Sequence, residues 1–129
     1  MTPRGRVPGP GMGRGGPPRF GKLSRMVEPA LLYLLARDGK SHGYDLIARA
    51  NELAICDTAV DAGAVYRSLR QIEDSGLVLS DWDTSRGGPA RRDYEITPAG
   101  RTHLKAWVEM LRRRGQAMLE FSAAYDKLP

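Results

Sequence analysis

Arg67, Arg70 and Gln71 fall at the three- and four-residue spacing that gathers side chains on one side of a helix. Arginine can grip the O6 and N7 of guanine at two points, and glutamine can do the same for N6 and N7 of adenine. These residues therefore suit the reading of base edges in a major groove. A solvated helix surface could hold the same three residues, so the pattern needs a second half. The segment Ser85, Arg86, Gly87, Gly88, then Arg91 and Arg92 supplies it. It combines turn residues with clustered cations, which suits contact with phosphates or a minor groove beside the groove being read.

These side chains require particular elements to position them. Asp61 stands as a helix N-cap and Gly76 as a helix stop. Between them Val65, Leu69 and Ile72 share an inward face and Gly63, Arg67, Arg70 and Gln71 an outward one. The small Gly63 and Ala64 let the amino end of this helix approach a phosphate closely. The run from Leu77 to Asp83 reads as a strand, Thr84 to Pro89 as a turn, and Ala90 to Thr97 as the returning strand. Upstream, Val27, Leu31, Leu34 and Leu35 line one face of a first helix that stops at Gly39. Its start is either capped by Ser24 or set by Glu28 before Pro29. A second helix is predicted to open at Ser41, bury Tyr44, Ile47 and Ala48, and end near Leu53. Two helices, a recognition helix and a basic hairpin give a mainly α fold with a small β-hairpin wing, a winged helix-turn-helix.

The last helix is predicted from Thr97 as N-cap, with Pro98 at its first position, to about Tyr125. Leu104, Trp107, Leu111, Met118, Phe121, Tyr125 and Leu128 form an apolar seam interrupted by Arg114, and Gly115 is a point where it can loosen. The seam exceeds what the small domain can cover, which predicts burial against a second copy. Trp107 and Met110 could also line a pocket for a flat apolar or aromatic effector, although Trp107 reads first as a large core or interface residue.

With 129 residues, the chain has room for one small domain and no second catalytic one. Its net charge of +5 is uneven. Residues 1 to 22 hold Arg4, Arg6, Arg14, Arg19 and Lys22 with no acid, leaving 15 basic and 15 acidic groups beyond them. Any affinity for an anionic partner must come from local patches, helped by that tail. Seven Gly and five Pro make the tail a disordered segment, either a DNA-wrapping arm or a solvated leader preceding a start at Met12 or Met26. Residues 23–97 then form the DNA-binding domain and 98–129 the dimerisation helix.

No apolar run approaches the roughly 20 residues that span a bilayer. The chain is therefore expected in the cytoplasm, at the nucleoid. Cys56 has no cysteine partner. His42 reads as a capping or packing residue, with metal ligation as the lesser alternative, and His103 is isolated. No nucleophile-base pair, paired carboxylate or phosphate-binding Gly loop is present, so neither an enzyme nor a cofactor or metal protein is expected.

Three blocks, "HGYDLI" at His42 to Ile47, "GAVYRSLRQIEDSGLV" at Gly63 to Val78 and "GGPARRDYEITPAGR" at Gly87 to Arg101, resemble the PadR family of bacterial transcriptional regulators. The resemblance spans about residues 27 to 110. It implies a dimeric repressor on a palindromic operator, often released by a small effector. It assigns Tyr66 to the recognition helix, Gly76 to the helix stop, and Gly87, Gly88, Pro89, Arg92 and Tyr94 to the wing. Arg67 stands where the family commonly has proline, which leaves the helix uninterrupted and adds a cation. The wing also resembles that of poly-beta-hydroxybutyrate-responsive repressors. The complete set of expected DNA contacts is Gly63, Ala64, Tyr66, Arg67, Ser68, Arg70 and Gln71 on the helix and Ser85, Arg86, Gly87, Gly88, Arg91 and Arg92 on the wing. The competing reading is a winged helix that binds protein rather than DNA, which should display an apolar or aromatic patch on the outward Arg67, Arg70 and Gln71 face, where the sequence shows none.

Overall fold

The computed structural model describes residues 26–53, 55–56, 59–85 and 87–129. The basic tail, the Ser24 cap, Asp57 and Arg86 lie outside the described residues. The elements run α1 (Val27–Asp38), β1 (Ser41–His42), α2 (Gly43–Ala50), α3 (Ala62–Asp74), β2 (Val78–Asp83), β3 (Arg91–Ile96) and α4 (Pro98–Asp126). The strands form one antiparallel sheet in the order β1-β3-β2.

α1 is the hub of the core. Leu31, Leu32, Leu34 and Leu35 are fully buried, because α2, α3 and α4 pack around it. It starts at Val27 with no side-chain cap and has Pro29 in its first turn, where the missing N–H costs nothing. Gly39, at φ 81°, ends it.

The second helix departs from expectation at both ends. Ser41 and His42 are extended and pair with Tyr94 and Asp93, so the predicted helix start is instead the third strand of the sheet. At the other end Asn51 leaves the helix. Its amide donates to the Ile47 and Val60 carbonyls, both at 3.1 Å, and its oxygen accepts from Val60 N–H at 2.6 Å, bracing the connection to α3. The buried face is also different. Gly43, Leu46 and Ala50 point inward, with Ile47 packed partly against the core, whereas Tyr44 is 72% exposed and Ala48 is exposed. Both registers have helical spacing, and the observed one wins because Gly43 has no side chain to hold α2 off the Tyr66 and Tyr94 rings.

α3 and α4 begin as predicted. Asp61 Oδ1 accepts from Ala64 N–H at 2.7 Å, and Thr97 Oγ1 accepts from Gly100 N–H at 3.0 Å. The Thr97 hydroxyl also donates to the Gly76 carbonyl at 2.7 Å, and Thr97 N–H donates to the Leu77 carbonyl at 3.0 Å. Gly100 is buried against that same Leu77 carbonyl, where a Cβ would overlap the oxygen and crowd Ile96 Cγ1 at 2.7 Å. α4 then runs unbroken through Gly115. Since the Leu77 backbone, which cannot swing aside, opposes the added atom together with Ile96 Cγ1, Gly100→Ala should lower unfolding free energy by about 1–3 kcal/mol. Urea denaturation measures this, and an unchanged midpoint would contradict the packing described.

Candidate nucleic-acid interface

The outward face of α3 follows from what the helix buries. With Val65, Leu69 and Ile72 held in the core, Gly63, Arg67, Arg70 and Gln71 are left exposed on the other side. Tyr66 is 40% exposed, while Ala64 and Ser68 are half-buried at the margins. Arg67, Arg70 and Gln71 make no side-chain hydrogen bond or ion pair among the described residues, and so stay available to a ligand.

The wing is a regular ladder from Val78 opposite Ile96 to Asp83 opposite Arg91. At its tip Asp83 Oδ1 accepts from Ser85 N–H at 2.9 Å and Ser85 Oγ at 2.6 Å. Gly87 and Gly88 take φ of 64° and 84°, left-handed conformations that favour glycine. Ser85, Gly87, Gly88 and Arg91 are exposed, and the expected tip residue Arg86 is outside the described residues.

Arg92 is differently placed from Arg91. Its Nε donates to Ser80 Oγ at 3.0 Å, its Nη2 lies 3.8 Å from Glu73 Oε2, and the guanidinium stacks 5.1 Å from the Trp82 ring centre. Ser80 Oγ in turn donates to Glu73 Oε2 at 2.5 Å. Arg92 thus fastens the wing to the carboxyl end of α3, and its charge is partly used within the chain.

The sheet has two unlike faces, as alternation along strands requires. Ser80, Trp82, Arg92 and Tyr94 share the face towards α3. Leu79, Asp81, Asp83, Asp93 and Glu95 alternate to the other, together with Arg91, which stands directly opposite Asp83. On the first face α2, α3 and the wing enclose a concavity lined by Tyr44, Tyr66, Trp82, Arg91, Arg92 and Tyr94. Gly43 makes it possible, since a Cβ there would come within 2.9 Å of the Tyr66 ring and 3.4 Å of the Tyr94 ring. Burial pushes the Tyr94 phenol above its ordinary pKa, partly offset by Arg92, so it remains neutral around pH 7.

Two residues of this concavity escaped the sequence reading. Helical spacing places Tyr44 inward and the strand pattern gives Trp82 no role of its own, whereas they are 72% and 59% exposed. A Gly43, Leu46, Ile47, Ala50 stripe would have turned Tyr44 outward, and strict alternation from Ser80 would have put Trp82 opposite the aspartates. The expectation of a face without aromatic residues is therefore corrected, because Tyr44, Tyr66 and Trp82 are all presented beside α3.

On α4 the expected interface residues divide. Leu104 and Trp107 pack partly against the chain's own core, and Trp107 Nε1 donates to Glu28 Oε1 at 2.6 Å, an oxygen that also lies 3.1 Å from His103 Nε2. Leu111 and Met110 are half-buried. Met118, Phe121 and Tyr125 are exposed, with Leu119 and Leu128 beside them. The concavity by α3 does not reach Trp107 or Met110. Cys56 is buried, and no helix among the described residues is long and apolar enough to cross a membrane.

The model of the transcriptional regulator PadR-like family matches residues 31–106. No curated protein matches the chain. Among solved structures, a conserved protein described as a potential transcriptional factor is 29% identical, with a TM-score of 0.70 over 88% of this chain and 96% of that one. A PadR family transcription regulator from Clostridium difficile R20291 is 20% identical, with a TM-score of 0.64 over 74% of this chain and 96% of that one. Bacillus subtilis PadR, solved in complex with operator DNA, is 24% identical, with a TM-score of 0.57 over 65% of this chain and 47% of that one. With the motif blocks, the winged helix and a family match over more than half its length, the chain belongs to the PadR-like family of transcriptional regulators.

Proposed function

We propose that the protein is a repressor that binds a palindromic operator as a homodimer and is released by a small molecule. The observation that carries this reading is the junction of the free Arg67, Arg70 and Gln71 face with the arginine-flanked aromatic concavity. With α3 in the major groove and the wing in the adjoining minor groove, the intervening sugar-phosphate strand must cross between them. The concavity lies on that path. Arg91 supplies charge to it, the Tyr44 and Tyr66 hydroxyls supply donors, and the rings pack against sugars. Ser85, Gly87 and Gly88 keep the wing tip narrow, and the acidic sheet face is turned away from the strand.

Dimerisation rests on α4. From Arg112 onward every residue of this helix is exposed, yet Met118, Leu119, Phe121 and Tyr125 are apolar or aromatic. An isolated helix of that length is marginal in water, so a second copy is the partner that accounts for both its order and its seam. Two-fold pairing can set recognition helices about 34 Å apart, one turn of DNA. In this reading a flat apolar effector packed at Trp107 and Met110 would displace the Trp107 ring, break its hydrogen bond to Glu28 and so loosen α4 from α1.

The exposed Tyr44, Tyr66 and Trp82 favour one other reading, a protein-binding winged helix. The two separate by experiment. The double variant Arg67→Ala, Arg70→Ala should keep its fold and lose discrimination among DNA sequences by about 1–3 kcal/mol per lost base contact. Unchanged discrimination would reject these as reading residues. Arg91→Ala should weaken binding to all sequences and lower the slope of log affinity against log salt by about 0.9, whereas Arg92→Ala should lower it less. Equal slopes for wild type and Arg91→Ala would count against phosphate contact by the wing. Replacing Phe121 with aspartate should give a folded monomer in analytical ultracentrifugation at micromolar concentration, and a persistent dimer would move the interface elsewhere.

A further inference from the structure

We infer that His42, Asp83 and Asp93 form a binding site for a divalent transition-metal ion at the base of the wing. The three come from three strands. His42 of β1 stands directly across from Asp93 of β3, and Asp83 ends β2. One nitrogen and two carboxylate oxygens lie within 4.8 Å of one another, with His42 Nε2 3.7 Å from Asp83 Oδ2. Ligand atoms bound to zinc at about 2.0–2.2 Å sit within about 4.4 Å of one another, and because His42 presents Nε2 to Asp83 and Nδ1 to Asp93, one carboxylate must swing to the nitrogen that the other faces for all three to meet one ion.

The site is sheltered. The side chains of His42, Asp83 and Asp93 are 10%, 18% and 17% exposed. His42 Nδ1 is buried against an Asp93 carboxylate oxygen, in a contact that lacks the geometry of a hydrogen bond. A buried ring nitrogen in that condition is uncommon in a folded protein, and coordination chemistry would use it. Asp83 is already oriented, because Ser85 holds its Oδ1 through two hydrogen bonds while Oδ2 faces the imidazole. Such outer contacts are typical of metal ligands.

Electrostatics point the same way. Asp81 is directly opposite Asp93 on the same sheet face, and like charges in that position destabilise a ladder. The cluster opens onto a polar concavity that gives an ion access, bordered also by Asp45, Arg49 and Lys40. Arg49 and the neighbouring Arg37 are directed to Asp38, whose carboxyl Arg37 holds below its usual pKa range, and not to the His42 cluster. One imidazole and two carboxylates suit zinc, manganese or ferrous iron, with water in the open positions. Because β1 leads directly into α2, a bound ion would tie the wing to the helices that carry α3.

The test uses the full chain stripped of metal with a chelator and titrated with zinc chloride, then with manganese chloride, by isothermal calorimetry and thermal melting. We expect one saturable site per chain and a higher melting temperature for at least one of the two ions. Asp83→Asn and Asp93→Asn should each weaken binding at least about tenfold. His103→Gln, which removes the only other imidazole of the chain, should bind like wild type, and Asp81→Asn, which removes a neighbouring charge but no ligand, should weaken binding less than either ligand variant. Absence of saturable binding overturns the site. So does binding that survives in both Asp83→Asn and Asp93→Asn, or that is lost with His103. No DNA enters these measurements, so they succeed or fail independently of the proposed operator binding.

Discussion

The contact between the first turn of α4 and the Leu77 carbonyl fixes the rest of the molecule. At that point α3 has just ended at Gly76, β2 is about to begin and β3 has just finished. Thr97 N–H and hydroxyl bond to Leu77 and Gly76, and Gly100 has no side chain to hold the helix off. One knot therefore sets the angle of the recognition helix, the root of the wing and the direction of the long helix. A small domain has few such constraints, which is why the loss of one would be felt both at α3 and the wing and along α4.

A second fastening controls the wing farther out. Glu73, Ser80, Arg92 and Trp82 connect the end of α3 to the middle of the sheet by hydrogen bonds and ring stacking. The charge of Arg92 is thereby diverted to positioning, whereas Arg91 and the outward arginines of α3 stay uncommitted. Formal charge alone does not distinguish these roles. The near-neutral domain works as a set of faces, with Arg92 and aromatic rings on the α3 side of the sheet and the carboxylates, with Arg91 among them, on the other.

Much of this was legible in the sequence where local chemistry decides structure. Asp61 and Thr97 as caps, Gly39 and Gly76 as helix ends, and Val65, Leu69 and Ile72 as an inward stripe all depend on neighbours within a turn or two. The misreadings lie where partners are distant. Ser41 and His42 become a strand because Asp93 and Tyr94, half the chain away, offer them a ladder edge. Tyr44 turns outward because Gly43 is what fits beneath the Tyr66 ring, a tertiary demand that helical spacing does not encode. Trp107 joins its own core through Glu28 instead of standing wholly on the seam.

If α3 and the wing read DNA as a symmetric pair, the sequence they select must be symmetric too. Selection of bound duplexes from a random DNA pool at near-physiological salt, followed by sequencing, tests it most directly. The account predicts an inverted repeat whose half-sites are about one helical turn apart. Recovery of sequences with no shared motif, or of no bound duplex at all, would contradict it and leave the exposed aromatic face as a protein-binding surface.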